Sequence, residues 1–141
     1  MANFEDELAK TGKLVYTTVG ISMRPLIKQD RDISIIEKPK GRLKKFDVAL
    51  YKRPNGQYVL HRVVKVLEDG YVILGDNCAS KEYNIKDSQI LGVLTSLVRA
   101  GKEVDLNSFG YKLYVRARYA HYPVRVIIFR IKRFLRKLIK R

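Results

Sequence analysis

Hydrophobic and polar positions along this chain fall into two regimes. Between residues 14 and 98, short apolar runs rich in β-branched and aromatic residues alternate with turn residues. The runs at 14–19, 32–37, 46–52, 57–68, 71–74 and 90–98 read as strands. Arg53-Pro54-Asn55-Gly56 is a hairpin signal, because Asn-Gly favours the positive φ that a tight turn needs. Asp69-Gly70 marks another turn, and residues 75–86 read as a polar loop. Most strands follow one another with no helical period between them. That pattern predicts a mainly β fold, a coiled antiparallel sheet or barrel, rather than a doubly wound sheet.

The two ends of the chain follow a different rhythm. Residues 2–10 place acids first and lysine last, with Phe4 and Leu8 four apart, which predicts a short helix. From Tyr111 onward tyrosines alternate with lysines and arginines. Pro123 suits a helix start, and Val124, Ile127, Ile128, Ile131, Phe134, Leu135 and Leu138 then recur at helical spacing. Arg125, Lys132, Arg133, Arg136, Lys137 and Lys140 take the other side. The spacing predicts an amphipathic helix over 124–140, too charged to cross a membrane but able to lie on one. The alternative is a stripe packed on the β body with a solvated basic face.

Charge sharpens this division. The 141 residues carry a net charge of +15, and residues 106–141 hold 11 Lys or Arg with no acid. That leaves 18 basic against 14 acidic residues in 1–105, a net of only +4. We therefore expect a β domain at 1–105 and a basic aromatic connector with its helix at 106–141. One cysteine, Cys78, excludes an intrachain disulfide, and with only His61 and His121 beside it no zinc cluster is expected. No cofactor or metal is implied. The N-terminal residues show no basic segment followed by an apolar run, so no signal peptide is expected.

The candidate chemistry centres on Thr18-Val19-Gly20-Ile21-Ser22-Met23-Arg24-Pro25-Leu26. Ser22 stands between an apolar strand and a break enforced by Pro25, which fixes φ and biases Arg24 away from helix. A serine at a strand end, followed by free backbone N–H groups, suits a nucleophile beside an oxyanion site. Gly20 gives room for a substrate backbone or for a sharp turn.

Ser22-Met23-Arg24-Pro25 resembles the Ser-Met-x-Pro box of the serine peptidase superfamily that contains type I signal peptidases and SOS-repressor autoproteases. Phe46-Asp47-Val48-Ala49-Leu50-Tyr51 is similar to a second box of that superfamily. Tyr58-Val59-Leu60-His61-Arg62-Val63-Val64 resembles the strand that carries its general base, and Gly75-Asp76-Asn77 a fourth box. The boxes occur in the family's order over roughly residues 14 to 99. The resemblance implies a coiled β-sheet fold and a peptidase with Ser22 as nucleophile. His61 stands where bacterial signal peptidases have lysine, as in the microsomal and archaeal branch, so the implied base is a histidine with an ordinary pKa near ~6.5. Its expected titration lies near ~6–7.

A histidine base usually has an acid on its other nitrogen. Asp76 is the first candidate and Glu82, at the position of a further acid in the microsomal branch, the second. Asp76 has an alternative role in capping its own loop. The Ser22 N–H is the implied oxyanion donor. Gly20 occupies the position where bacterial signal peptidases add a hydroxyl, as in the SOS-repressor branch, and Met23 is expected to pack below the serine. Lys65, two strand repeats beyond His61, reads as a surface lysine, and Cys78 as a spectator.

The reading is a serine endopeptidase that cleaves a leader or signal-like peptide by a Ser–His mechanism, gripping it in extended form by β-addition. Its expected location is the periphery of a membrane, on the cytoplasmic face. The alternative is a non-catalytic basic β module that binds anionic membrane or nucleic acid, with nucleic acid disfavoured by the helical spacing of the tail. A repressor-like autoprotease is a third reading, weakened because no helix-turn-helix pattern precedes the serine box.

Overall fold

A computed structural model describes residues 4–18 and 20–140. Helix α1, Phe4–Thr11, opens the chain and ends where Gly12, at φ 75°, donates its N–H to the Leu8 carbonyl. Its one buried residue is Leu8, while the Phe4 ring packs edge-on against Tyr16 and Tyr58. Eight antiparallel strands follow: β1 Lys13–Tyr16, β2 Asp32–Glu37, β3 Val48–Lys52, β4 Tyr58–Leu67, β5 Gly70–Leu74, β6 Glu82–Lys86, β7 Ile90–Arg99 and β8 Lys102–Val104. They pair in the order β1-β2-β7-β3-β4-β5-β6, with β8 lying on β7.

The chain is thus mainly β, with one antiparallel sheet and three α-helices among the described residues. The sheet does not close into a barrel: among the described residues β1 and β6 are its two ends. Strands β3 and β5, and β4 over residues 59–64, are buried almost without interruption, because alternate residues feed two cores. Val48 and Leu50 join Leu14, Ile36, Leu60 and Leu97 on one side. Ala49 and Tyr51 join Val59, Val63, Tyr71 and Ile73 on the other. The expected hairpin at Arg53–Gln57 forms, with Gly56 at φ 89°.

Three parts of the fold differ from expectation. Residues 82–86, assigned to a polar loop, form β6, in which only Ile85 is buried. Strand β8 is added by a turn through Ala100 and Gly101, both at positive φ. The aromatic-basic connector is itself a helix, α2 Phe109–Ala120, capped by the Ser108 hydroxyl, which accepts from the Tyr111 N–H. Helix α3, Tyr122–Ile139, follows after a single residue, His121.

The α3 stripe does not pack on the body. Ile127, Ile131, Phe134 and Leu138 remain at least half exposed, and the buried residue of α3 is Arg125. The helix meets the body near its start, at Tyr122 and Arg125, and beyond that both its basic and its apolar residues are exposed, which overturns the packed-stripe alternative.

One buried carboxylate fastens the loop that follows Ser22. Asp32 accepts from Arg31 and Arg99 and from the Lys28 N–H, while both guanidinium groups also donate to the Leu26 carbonyl. Burial alone would raise its pKa, but the two arginines and the amide win and hold it down at about 2. Folding stability from Asp32 is therefore present above the ordinary carboxylate range and is lost as pH falls from about 4 towards 2. Asp32→Asn is expected to lower the unfolding free energy by about 2 kcal/mol at neutral pH, and to flatten the loss below pH ~4, in urea titrations.

Candidate active site

The serine turn is held from two sides. Its own backbone closes through Arg24 N–H to the Ile21 carbonyl and Ile27 N–H to the Met23 carbonyl, at 3.1 and 2.9 Å. The Gly20 N–H donates to Gln29 Oε1 at 3.0 Å. Across the gap, Asn77 grips the turn twice, its backbone N–H on the Ser22 carbonyl at 2.9 Å and its side-chain amide on the Ile21 carbonyl at 3.1 Å. Met23 lies buried beneath, as expected, and its sulfur accepts from the Asp76 N–H at 3.4 Å.

Gly75 brings the serine turn and His61 together. A Cβ at this position would stand 2.8 Å from the Ser22 carbonyl oxygen, 2.6 Å from Cys78 Sγ and 3.1 Å from His61 Cδ2. No side chain fits there. The serine turn, the imidazole edge and the Cys78 thiol therefore converge on one backbone point that only glycine leaves open.

His61 sits on β4 opposite Ala49 of β3, on the face it shares with Val59 and Val63. Its ring lies edge-on to Tyr51 at 6.4 Å and is only 8 % exposed. Burial pushes its pKa down to about 4; the Glu82 carboxylate opposes this, Arg53 adds to it, and Asp76 opposes it further. That corrects the expectation of a titration near ~6–7. Among the described residues the imidazole makes no hydrogen bond. Ser22 and His61 nevertheless line the same cleft, about 250 Å³, together with Tyr16, Thr18, Gly20 and Tyr58.

The two candidate acids part company. The Asp76 carboxylate takes Arg62 in a two-pronged pair at 2.8 and 3.0 Å and the Tyr114 hydroxyl at 2.8 Å. Its backbone carbonyl accepts from Arg118 and Arg125. It is therefore spent on anchoring α2 and α3, and the expectation that it orients His61 is not met. Glu82, on β6, accepts the Tyr51 hydroxyl at 2.6 Å and the Arg53 guanidinium. It exerts the largest charge effect on His61, from behind the Tyr51 ring that packs on the imidazole.

Lys65 is exposed, as read from the sequence. Cys78 is half-buried with its thiol pushed up by burial, and Sγ lies 3.9 Å from the Ser22 carbonyl. No group of three or more metal-ligating side chains occurs among the described residues. Thr18 is the residue that the sequence reading passed over. Its hydroxyl is buried without a partner among the described residues, and it lines the cleft beside Ser22 and His61. Threonine before a turn is common, so nothing in the sequence set it apart.

No family model, curated protein or solved structure matches this chain.

The environment of His61 can be measured directly. Its imidazole NMR signals are expected to titrate near pH 4, while His61→Gln removes that signal alone. Because the native state holds the ring neutral, its share of stability is full above ~6.5 and falls as pH drops towards 4. A titration at ~6.5 would show that the ring is not enclosed.

Proposed function

We propose that this chain is a serine endopeptidase of signal-peptidase-like fold that cleaves leader or signal-like peptides, with Ser22 as nucleophile and His61 as base. The observation that carries this reading is the shared cleft, in which Gly75 lets the serine turn and the imidazole edge close on one point. The ordered sequence boxes lend it independent support. A serine hydroxyl needs a base within hydrogen-bond reach, and such contacts often tighten only when substrate excludes water.

In the proposed reaction Ser22 Oγ attacks the scissile carbonyl as its proton passes to His61. The oxyanion is held by the Ser22 N–H and by the Thr18 hydroxyl, which supplies the donor that Gly20 cannot. The protonated imidazole then gives its proton to the leaving amine, and water repeats the sequence on the acyl-enzyme. Glu82, through its charge, favours the imidazolium formed on the way. The substrate lies along β1, whose outer edge is unpaired among the described residues and runs straight into the cleft.

Helix α3 supports a membrane-peripheral setting for this activity. It carries seven Lys or Arg and no acid over 122–140, beneath an outward apolar stripe. Among the described residues no helix is long and apolar enough to cross a membrane. Such a helix lies in an anionic interface, where each cation adds about 1 kcal/mol that salt screens. Truncation after Val126 keeps the Arg125 contacts. The truncated protein is expected to cleave a soluble peptide at the wild-type rate and to lose its binding to anionic vesicles; an intact chain that ignores such vesicles at low salt would remove this setting.

Catalysis is tested on a panel of leader peptides. Ser22→Ala and His61→Gln are each expected to abolish cleavage, and the double variant to be no worse than either. Thr18→Val should lower kcat by roughly 10²-fold, with Thr18→Ser restoring most of it. The kcat/KM profile should rise below pH 5 and stay flat through neutrality, because His61 is already unprotonated there. Full proteolysis by Ser22→Ala would leave the non-catalytic basic module as the better reading.

A further inference from the structure

Beyond Arg125 the exposed cationic side of α3 leaves a groove against the body. It is about 560 Å³, walled by Arg130, Lys132, Arg133 and Arg136 on one side and by Ala79 and Ser80 on the other. Val126 and Phe129 also line it, Phe129 at 45 % exposure. No acid lines the groove, and none of the four cations has an ion-pair partner among the described residues. Like charges gathered around one space repel, so a multivalent anion lowers the energy of this arrangement more than scattered surface charge would. Ser80 adds a side-chain hydroxyl at the same mouth.

We propose that this groove binds the phosphate of an anionic phospholipid headgroup. The inference rests on the membrane setting of α3 given above and names a specific contact within it. The guanidinium groups present paired N–H donors to phosphate oxygens. Val126 and Phe129, beside the cations, give the carbon atoms of the headgroup an apolar wall. The outward stripe of Ile127, Ile131 and Phe134 sets the helix at the depth where headgroups lie. A second copy of this chain is a poor occupant, because it would bring another acid-free helix against the same cations.

The test compares two charge-matched variants of the full chain, both altered at exposed positions. Arg133→Gln with Arg136→Gln empties the groove of two cations, and Lys137→Gln with Lys140→Gln removes two cations outside it. Binding is read by flotation with phosphatidylcholine vesicles, with and without phosphatidylglycerol, after circular dichroism confirms that both variants keep the wild-type fold. Loss of surface attraction alone weakens each variant by about thirtyfold. The groove variant is expected to lose about tenfold more than its control, and only on vesicles that contain phosphatidylglycerol. Equal losses in the two variants overturn the groove while leaving the membrane setting intact. Failure of the wild type to bind any vesicle at low salt overturns the membrane setting itself. In a third arm, inorganic phosphate at matched ionic strength is expected to release the wild type no better than chloride does; full release by phosphate would assign the groove to the free anion and sink the lipid assignment.

Discussion

The arrangement depends first on one buried ion pair, Arg62 with Asp76, whose side chains are each only 3 % exposed. Removing two charges from water costs several kcal/mol per ion, and leaving one of them unpaired costs about 3–5 kcal/mol. The pair survives burial because nearly every polar atom is used. Arg62 also donates to the Phe46 carbonyl and the Tyr111 hydroxyl, and Asp76 also accepts from Tyr114. Burial would lower the Arg62 pKa, but the facing carboxylate outweighs it and keeps the guanidinium charged. Arg62 follows His61 directly on β4, so the two side chains point to opposite faces. A slip of one residue would send the arginine to the cleft and the histidine to the acid. The ion pair thus fixes the register that aims His61.

From Asp76 the same constraint runs outward in both directions. Its N–H reaches Met23, the next residue Asn77 clamps the Ser22 and Ile21 carbonyls, and its own carbonyl receives Arg118 and Arg125. The serine turn and the tail helices are therefore fastened to opposite sides of one short loop. This explains why an aspartate in the expected place does not serve the histidine. Its oxygens satisfy a buried guanidinium, and a carboxylate with three donors has little left to offer an imidazole. The His61 side is left to Glu82, which acts through field rather than contact, and burial wins over that field.

Much of this was legible in the sequence, and the limits are physical. Strands β2, β3, β4 and β5 announce themselves because β-branched runs are buried on one or both faces. The residues that meet in the cleft, Ser22 and His61, were legible because each sits in a box that resembles a known order. Strand β6 was not, since Glu-Tyr-Asn-Ile-Lys buries only Ile85 and owes its conformation to pairing at the sheet edge. Strand β8 has three residues, too few for any periodicity. Helix α2 hid behind tyrosines, whose β preference competes with helix until Tyr111 and Tyr114 find Arg62 and Asp76. The depressed pKa of His61 could not be read from neighbours in sequence, because the burial that causes it comes from distant strands.

The orientation of α3 follows from the same loop rather than from its own hydrophobic period. An amphipathic helix ordinarily turns its apolar stripe towards the core, because water is the alternative. Here Arg125, on the basic face, is buried with its guanidinium donating to the Asp76 and Cys78 carbonyls. The Tyr122 hydroxyl bonds the Ala79 carbonyl beside it. These contacts lie in the first turn, so they settle which way the helix faces before the stripe at Ile127 to Leu138 has any say. Beyond that turn the described body leaves the helix uncovered, so the apolar stripe stays exposed alongside the remaining cations. Exposing it to water is unfavourable over that whole length. The polar anchoring that holds the serine turn is therefore also what gives the chain its outward hydrophobic face.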